Sequence, residues 1–197
     1  MEHYFTNNQN LKSELRDIAI TFLNHDLIFK SDNGVFSKNK IDYASLFLVK
    51  TFLSLEKTHQ VDSILDVGCG YGFIGITLSK VLNKPVDMVD INKRAVHLTK
   101  MNITNNSVMA TVWESNIYES VDKTYDLIIT NPPIRAGKSV LMEFLVGGLK
   151  KLNPNGKLYF VISKDQGAKS VVKEMEKICT CEVVDKSKGF FVISAKN

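Results

Sequence analysis

Alternate glycines behind a carboxylate are the residues of this chain with the clearest capacity for chemistry. The apolar run of residues 64–67 contains Asp66 and is followed, at every second position, by Gly68, Gly70 and Gly72. Such glycines let a ligand approach the backbone closely and allow a tight entry into the next helix. The stretch therefore predicts a small-molecule site at the end of a buried strand.

Two classes of cofactor are compatible with these glycines. Gly70-x-Gly72-x-x-Gly75, with Asp90 further along the chain, matches the dinucleotide fingerprint and would make the protein a nicotinamide or flavin oxidoreductase. Asp66 argues against that class, because a carboxylate there repels a pyrophosphate and attracts the ammonium of a methionine moiety, commonly through water. S-adenosylmethionine is therefore the favoured cofactor.

The register Asp66-x-Gly68-x-Gly70-x-Gly72 resembles the first motif of class I S-adenosylmethionine-dependent methyltransferases. Asp90, at the end of the second strand, would accept hydrogen bonds from both ribose hydroxyls. The resemblance implies that an asparagine after the third strand holds the adenine amino group. The predicted cofactor site consists of Asp66, Gly68, Gly70, Gly72, Asp90, Ile91, Asn116 and Asn131.

Several of these residues also have a purely structural interpretation. Gly72 and Gly75 could serve helix–sheet packing alone. Asp90 could cap the helix that follows it, and Asn116 could be a turn residue. Cys69 is expected to be a small residue in a tight loop, because nothing near it in sequence resembles a base.

A second polar motif, Asn131-Pro132-Pro133, follows the apolar run of residues 127–130, at the strand end where α/β sheets bind substrates. The Asn131 side-chain oxygen and the Pro132 carbonyl can each accept an N–H and hold a planar amine in line with the sulfonium methyl group. The two prolines fix φ and remove backbone donors, so the Pro132 carbonyl is expected to be unpaired. These three residues are the predicted catalytic residues of an N-methyltransferase that works by direct in-line displacement.

The residues beyond this motif bear on the identity of the amine. Methyltransferases of adenine amines and of release-factor glutamines usually carry an aromatic residue after the second proline, whereas Ile134 stands here and offers no π-face. Arg135 and Lys138 could contact the phosphates that flank a target nucleotide. Lys138 could instead be ordinary surface charge at a helix start.

The string Asn131–Lys138 resembles the methyltransferase small domain family, and so do residues 34–37, 41–45, 166–169 and 188–190. The best-known members are bacterial small-subunit ribosomal RNA methyltransferases that modify the exocyclic amine of guanine. The resemblance implies a cytoplasmic enzyme for guanine N2 of 16S ribosomal RNA, with that RNA or the small subunit as partner. The predicted substrate-binding residues are Phe36, Ile134, Arg135 and Lys138.

Two features of that resemblance leave alternatives open. Phe36 would line the pocket or stack on a flipped base, but a buried hairpin aromatic is an equal possibility. The longer, two-domain members carry a duplicated N-terminal domain that has no counterpart in this sequence. The oligomeric state is therefore open, with a homodimer as one option.

Hydrophobic patterning predicts the elements that position these motifs. Apolar runs and helical patterns alternate from residue 61, which predicts a parallel sheet covered on both faces. The expected strands are Ser63–Val67, Val86–Val89, Val108–Val112, Leu127–Thr130 and Leu158–Ser163, and the expected helices are 72–82, 92–103, 138–151 and 165–178. A terminal hairpin of Cys181–Val184 and Phe190–Ser194 makes one last strand antiparallel. The predicted fold is a doubly wound, Rossmann-like methyltransferase sheet of about seven strands.

An N-terminal elaboration, residues 1–57, is expected to precede a cofactor-binding core of residues 58–197 within a single domain. Apolar residues at helical spacing predict a helix over residues 10–23. Asn33-Gly34 predicts a hairpin between residues 27–29 and 35–36. Asp42 is expected to cap a second helix that ends near Leu53.

Composition limits the class of protein. With 44% hydrophobic and 23% charged residues in 197, the chain is neither disordered nor fibrous. Its apolar runs are too short to span a membrane, and residues 1–5 lack an export signal, so a cytoplasmic protein is expected. Its three cysteines lack C-x-x-C spacing, so no metal site is expected. Residues 150–197 carry ten basic and five acidic side chains, which suits an RNA partner or a solvated lysine face.

Three alternatives to the ribosomal RNA methyltransferase remain. The same chemistry could act on a protein glutamine or another non-RNA amine. The fold could serve a non-catalytic RNA-binding assembly factor, although its cofactor motif is intact. The glycines could belong to a nicotinamide oxidoreductase.

Overall fold

The computed structural model describes residues 12–56 and 58–197, in which a seven-stranded sheet with helices on both faces follows a two-stranded hairpin. The strands are β1 (Arg16–Phe22), β2 (His25–Ser31), β3 (Ile64–Val67), β4 (Val86–Asp90), β5 (Ala110–Glu114), β6 (Tyr125–Thr130), β7 (Leu152–Ser163), β8 (Thr180–Ser187) and β9 (Phe190–Lys196). The helices are α1 (Tyr43–Leu55), α2 (Phe73–Leu82), α3 (Lys93–Asn106), α4 (Lys138–Lys150) and α5 (Ala168–Met175), with short 3₁₀ helices at Thr58–Gln60, Ile134–Ala136 and Lys164–Gln166.

The strand order in the large sheet is β5-β4-β3-β6-β7-β9-β8, and β9 runs antiparallel to both of its neighbours. The chain builds outward from β3 in one direction and then, from β6, in the other. The order therefore reverses between β3 and β6, which is where open α/β sheets bind ligands. The predicted fold class is confirmed.

Two hydrophobic layers cover the sheet. Helices α1, α2 and α3, together with the hairpin, pack on one face, and α4 and α5 pack on the other. Successive strand residues alternate between the layers: Ile64 belongs to the first and Leu65 to the second. Because both faces are covered, the central strands are uniformly apolar, and β3 is buried at all four positions.

Most element predictions are confirmed within a few residues. Asp42 is the N-cap of α1, where its side chain accepts the Ser45 backbone N–H at 2.9 Å. The predicted terminal hairpin is present as β8 and β9, with its turn at Lys188 and Gly189. The larger differences are in β5, which begins at Ala110 rather than Val108, in β7, which begins at Leu152 rather than Leu158, and in α5, which spans Ala168–Met175 rather than 165–178.

The helix predicted over residues 10–23 is wrong. The chain forms β1 instead, paired with β2 through a two-residue turn at Leu23 and Asn24, whose φ angles of 46° and 63° suit a tight hairpin. Ile18 and Phe22 are four residues apart, a spacing that fits the period of a strand as well as one helical turn. Both are buried in the core on the same face of the hairpin.

The hairpin predicted around Asn33-Gly34 is also wrong, because β2 ends at Ser31 and residues 35–36 form no strand. Gly34 does lie in a turn, with φ of 84°. Asp32 is buried beside it and accepts the Glu14 backbone N–H at 2.5 Å. This segment therefore binds back to the residues that enter β1 and does not continue into a third strand.

Two asparagines of α3 attach the hairpin to the domain. The Asn102 side chain accepts the Lys30 backbone N–H at 2.7 Å and donates to the Lys30 carbonyl at 2.9 Å. Asn106 makes the same pair of bonds to Ile28, at 3.0 and 2.8 Å. The two amides thus satisfy backbone groups of β2 as a neighbouring strand would.

Residues 1–11 and Lys57, which include the first positions of the predicted helix and the end of the predicted elaboration, lie outside the described residues. Within the described ranges, no helix combines the length and the apolar character that crossing a bilayer requires. Nor do those ranges contain a cluster of three or more His, Cys, Asp or Glu side chains that could hold a metal ion.

Candidate active site

A cavity of about 750 Å³ opens at the carboxyl ends of β3, β4, β6 and β7. Its walls come from the glycine loop, the end of β4, the Asn-Pro-Pro turn, the start of α1 and the segment after β7. Three predicted site residues do not line it: Asp66, Gly72 and Lys138. The structure does bring to it Phe36, Gly68, Gly70, Asp90, Ile91, Asn116, Asn131, Pro132, Pro133, Ile134 and Arg135.

Asp90 and Gly70 form one wall of the cavity. The two oxygens of Asp90 accept the Gly70 and Asn92 backbone N–H groups, each at 2.8 Å. A side chain at Gly70 would meet no atom within 4 Å, so the loop is open on that side. Asn92, not Asp90, is the N-cap of α3. The carboxylate of Asp90 is thus held rigidly at the cavity, and burial raises its pKa to about 6.

Asp66 lies beneath the glycine loop, fully buried. One oxygen, Oδ2, accepts the Gly75 backbone N–H at 2.9 Å, and Oδ1 has no partner among the described residues. Burial raises the pKa of this carboxyl to about 7, with the charge of Asp90 adding to the effect. An unpaired buried carboxylate oxygen is costly, and a bound water or an ammonium group nearby would satisfy it. This residue therefore fits an indirect contact with a cationic ligand.

Two glycines near the loop serve packing. A Cβ atom at Gly72 would lie 2.8 Å from Ile76 Cδ1, and one at Gly75 would lie 2.5 Å from Met88 Sδ. Gly72 also adopts a φ of 93°, which side-chain-bearing residues rarely do. The structural interpretation of these two residues is therefore the one that the geometry favours.

The Asn131 side chain is tied to α1. Its amide nitrogen donates to Asp42 Oδ2 at 3.0 Å and to Ser45 Oγ at 2.9 Å. No hydrogen bond among the described residues reaches Asn131 Oδ1, and that oxygen is not among the buried unpaired ones. The oxygen is therefore open to a donor from the cavity, as the predicted role in orienting an amine requires.

The Pro132 carbonyl is not unpaired, contrary to the prediction. It accepts the Ile134 backbone N–H at 2.9 Å, across a tight turn centred on Pro133 with φ of −75° and ψ of 78°. The two prolines lack backbone N–H groups, as expected, but the next residue, Ile134, donates its N–H to the Pro132 carbonyl. A carbonyl oxygen has two lone pairs, so one remains to accept an N–H from a substrate.

The predicted substrate-binding residues separate into two groups. Phe36 is 40% exposed and lines the cavity, so it is not a buried hairpin aromatic. Ile134 and Arg135 also line the cavity, in the short 3₁₀ helix that follows the prolines. Lys138 lies outside it and forms an ion pair with Glu174 of α5. The surface-charge interpretation of Lys138 therefore agrees better with its position.

Asn116 and Cys69 complete the set. Asn116 is exposed at the cavity edge, and its amide nitrogen donates to Glu119 at 2.7 Å, which leaves its side-chain oxygen as an acceptor. Its carbonyl also accepts the Glu119 backbone N–H, so it is a turn residue as well. Burial raises the pKa of the Cys69 thiol well above its usual value, so the thiol stays protonated and is a poor nucleophile.

Sequence reasoning missed the two α1 residues that hold Asn131. Asp42 was predicted as a helix cap alone, and no local pattern connects it or Ser45 to a residue almost 90 positions away. The one available signal was the family resemblance of residues 41–45, which contains both side chains.

Comparison with known proteins agrees with this geometry. Residues 26–194 match the methyltransferase small domain. The chain belongs to the methyltransferase small domain family. Its activity class is therefore S-adenosylmethionine-dependent methyl transfer, and the glycine loop with Asp66 and Asp90 fits that cofactor. The nicotinamide alternative is excluded by this membership.

Two relatives share less than 40% sequence identity with this chain. The uncharacterized Bacillus subtilis protein YbxB is 38% identical over 200 residues, which cover 99% of this chain and 98% of that one. The ribosomal RNA small subunit methyltransferase C of Serratia proteamaculans is 37% identical over 142 residues, 70% of this chain and 40% of the relative. The chain thus spans under half the length of that relative.

Among solved structures, T. thermophilus 16S rRNA N2 G1207 methyltransferase, in complex with AdoMet and guanosine, has a TM-score of 0.83 at 24% identity. The similarity covers 94% of this chain and 51% of that one. A ribosomal protein L11 methylase from Lactobacillus delbrueckii has a TM-score of 0.66 at 18% identity, over 81% of this chain and 86% of that one. These two likenesses show a shared fold.

Proposed function

We propose that this methyltransferase acts on the exocyclic N2 amine of a guanine in 16S ribosomal RNA, in the cytoplasm. The observation that carries the proposal is the Asn131 amide, whose nitrogen is occupied by α1 and whose oxygen is open to the cavity. An amine substrate presents N–H donors, so the group that orients it must be an acceptor. A fixed amide oxygen beside a cofactor site suits an amine better than a hydroxyl or a carbon nucleophile.

The choice of guanine N2 rests on the relatives. The similar proteins include a ribosomal RNA small subunit methyltransferase C at 37% identity, and the T. thermophilus neighbour is a 16S rRNA N2 G1207 methyltransferase. Phe36 at the cavity offers a ring on which a base extruded from its stack could lie. Arg135, exposed at the cavity wall, is suited to a flanking phosphate.

The proposed mechanism assigns a task to each residue of the turn. Asn131 Oδ1 and the second lone pair of the Pro132 carbonyl accept the two N–H groups of the amine and aim its lone pair at the methyl group. When bound, S-adenosylmethionine supplies a methyl group that is already activated by its sulfonium. As the new N–C bond forms and the C–S bond of the sulfonium breaks, sulfur becomes a neutral thioether and the nitrogen gains the positive charge, which the two oxygens stabilise. The methylated amine then releases a proton to water.

The remaining residues bind the cofactor in this proposal. Asp90 accepts the ribose hydroxyls, Ile91 packs beside the adenine, and Asn116 accepts the adenine amino group through its side-chain oxygen. Asp66, through water, and the backbone of Gly68 and Gly70 face the methionine moiety. The basic residues 150–197 add general attraction for RNA, which should weaken steeply with added salt.

The test is methyl transfer from labelled S-adenosylmethionine to small ribosomal subunits and to naked RNA from a strain that lacks this gene. We expect label in a single N2-methylguanine with the wild-type protein and none with Asn131→Ala. Label in protein that survives ribonuclease would replace the proposal with a glutamine or other protein amine. Cofactor binding without label in any fraction would favour an RNA-binding assembly factor and overturn the enzymatic proposal.

A further inference from the structure

We infer that Asp42 is a positioning residue for Asn131: it fixes the side-chain amide so that the oxygen, and not the nitrogen, faces the cavity. The inference rests on the proposed function only for the identity of the reacting amine. The orientation of the amide can be measured without any substrate. Asp42 belongs to α1, which lies outside the strand–helix units that carry the cofactor loop.

The amide nitrogen of Asn131 belongs to a hydrogen-bond network with Asp42 and Ser45. Asp42 Oδ2 accepts from Asn131 Nδ2 at 3.0 Å, from the Ser45 backbone N–H at 2.9 Å and from Ser45 Oγ at 3.1 Å. The Ser45 hydroxyl has a single hydrogen, which it gives to Asp42, so its oxygen accepts from Asn131 Nδ2 at 2.9 Å. Every donor in the network therefore has an assigned acceptor, and Asn131 Oδ1 is the amide atom left open to the cavity.

Only one of the two orientations of the Asn131 amide is compatible with a hydrogen bond to Asp42. An ionised carboxylate has no hydrogen to donate, so it can bond the amide nitrogen of Asn131 but never its oxygen. If the amide rotated by 180°, Oδ1 would face Asp42 Oδ2, two acceptors at hydrogen-bond distance, and the nitrogen would face the cavity. An amine substrate would then meet a donor in place of an acceptor. Asp42 excludes that arrangement by charge and by hydrogen bonding together.

The contact with Asp42 also makes Asn131 Oδ1 a stronger hydrogen-bond acceptor. A carboxylate that accepts from an amide N–H polarises the amide and increases the electron density on its oxygen. That oxygen points to where a methylated nitrogen would gain positive charge. Asp42 thus acts through Asn131 on the reacting atom, although it does not touch that atom.

Asp42 is also the N-cap of α1, so its two roles must be separated. Asp42→Ala removes both the cap and the acceptor for Asn131. Lys50→Gly provides the matched control, because Lys50 is an exposed position of α1 away from the cavity, and glycine weakens the helix without touching the amide. Asp42→Asn is the conservative variant, since its side-chain oxygen can still accept and asparagine is a good N-cap.

The first measurement is the NMR signal pair of the Asn131 side-chain amide in ¹⁵N-labelled protein, assigned by its loss in Asn131→Ala. We expect its hydrogen exchange to be at least tenfold slower than that of an exposed amide in the wild type and in Lys50→Gly. Asp42→Ala should bring exchange to the exposed rate. Retained protection in Asp42→Ala would overturn the inference.

The second measurement is turnover. We expect Asp42→Ala to lower kcat at least tenfold with the KM for S-adenosylmethionine within twofold of wild type. Asp42→Asn should give an intermediate kcat, because asparagine still caps the helix and can accept from Asn131 but carries no charge and can also donate. If Asp42→Ala and Lys50→Gly have the same kcat, Asp42 is only a helix cap. A wild-type protein that is inactive on every amine would contradict the proposed function, and the exchange measurement would still decide on Asp42.

Discussion

The two halves of the cavity are built in different ways. In the cofactor half, Asp66 bonds the backbone of Gly75 nine residues later, and Gly70 bonds Asp90 after twenty. In the amine half, Asn131 depends on side chains 86 and 89 residues earlier in the chain. The cofactor half is thus a product of one β-α-β unit, whereas the amine half exists only when α1 packs on β7 and β9 and brings Asp42 to the end of β6.

That difference has a physical consequence. Bonds within the cofactor half join side chains to backbone groups that the local turn already presents, so they form with the fold itself. Bonds in the amine half join three side chains from two separate elements, so each must be held by packing elsewhere. We therefore expect substitutions in the amine half to change rate, and substitutions in the cofactor half to change affinity and stability.

The largest expected effect is that of Asn131→Ala on rate. Removal of the acceptor that aims the amine should lower kcat by about 10²–10³, the range found when one electrostatic catalytic contact is deleted. Affinity for S-adenosylmethionine should change far less, even though Asn131 borders the cofactor. Steady-state kinetics and calorimetric titration with the cofactor check this. Equal losses in rate and affinity would assign Asn131 to the cofactor half.

The next effect is on stability and concerns Asp66. Its raised pKa of about 7 means that the folded protein holds a proton that the unfolded chain has lost at pH 5–6. The free energy of unfolding therefore falls as pH rises from about 4 to 7, through this group. Asp66→Asn removes this pH dependence. The free energy of unfolding of the variant, measured relative to that of the wild type, should therefore rise by roughly 2 kcal/mol between pH 5 and 8. Denaturant titrations at several pH values measure the difference.

Asp126 supplies a control of opposite sign. Hydrogen bonds from Asn153, Asp62 and Ser63 hold the pKa of this carboxyl below its usual value, although burial opposes them. Its contribution to stability is therefore present at neutral pH and is lost as pH falls through the folded-state pKa. Asp126→Asn should destabilise the protein at pH 7, with the gap closing in acid. For Asp66 itself, the same pH dependence of the free energy of unfolding in wild type and in Asp66→Asn would contradict the raised pKa.

Asp90 should control affinity for the cofactor. Asp90→Ala removes the carboxylate expected to accept the ribose hydroxyls, and we expect a loss of about 10- to 100-fold in affinity for S-adenosylmethionine. Because burial raises the pKa of Asp90 to about 6, wild-type affinity should also rise between pH 5 and 7.5. Calorimetric titration with S-adenosylmethionine measures both the loss of affinity in Asp90→Ala and the pH dependence of the wild-type affinity. Asp87→Asn is the matched control, since Asp87 on the same strand bonds Thr111 and Tyr125 away from the cavity.

The smallest effects separate two glycines of the cofactor half. Gly75→Ala places a Cβ 2.5 Å from Met88 Sδ and should lower the free energy of unfolding by about 1–3 kcal/mol. Gly70→Ala meets no atom within 4 Å, and its cost comes from its φ of 59°, about 1 kcal/mol. Its methyl group would enter the cavity, so its main effect should be on cofactor affinity. A larger loss of stability in Gly70→Ala than in Gly75→Ala would reverse this assignment.

The sequence by itself determined the sheet and most of the cavity wall. Uniformly apolar runs separated by helical patterns can be satisfied only by strands buried on both faces, and motifs at their carboxyl ends must meet at one edge. That reasoning places the glycine loop, Asp90 and the Asn-Pro-Pro turn at one edge of the sheet, where the structure has the cavity. It also predicted that one terminal strand is antiparallel, because residues 185–189 are too short a connection for a crossover, and the structure shows that this strand is β9.

Tertiary structure decided what local patterns leave ambiguous. Ile18 and Phe22 suit a helix or a strand equally, and only pairing with β2 and burial in the core select β1. The Pro132 carbonyl was expected to be unpaired because proline lacks a donor, yet the turn brings Ile134 N–H onto it. Asp42 was visible as a helix cap, but its contact with Asn131 depends on how α1 packs against the sheet. Periodicity and turn chemistry are short-range properties, whereas this contact joins residues that only the folded chain makes neighbours.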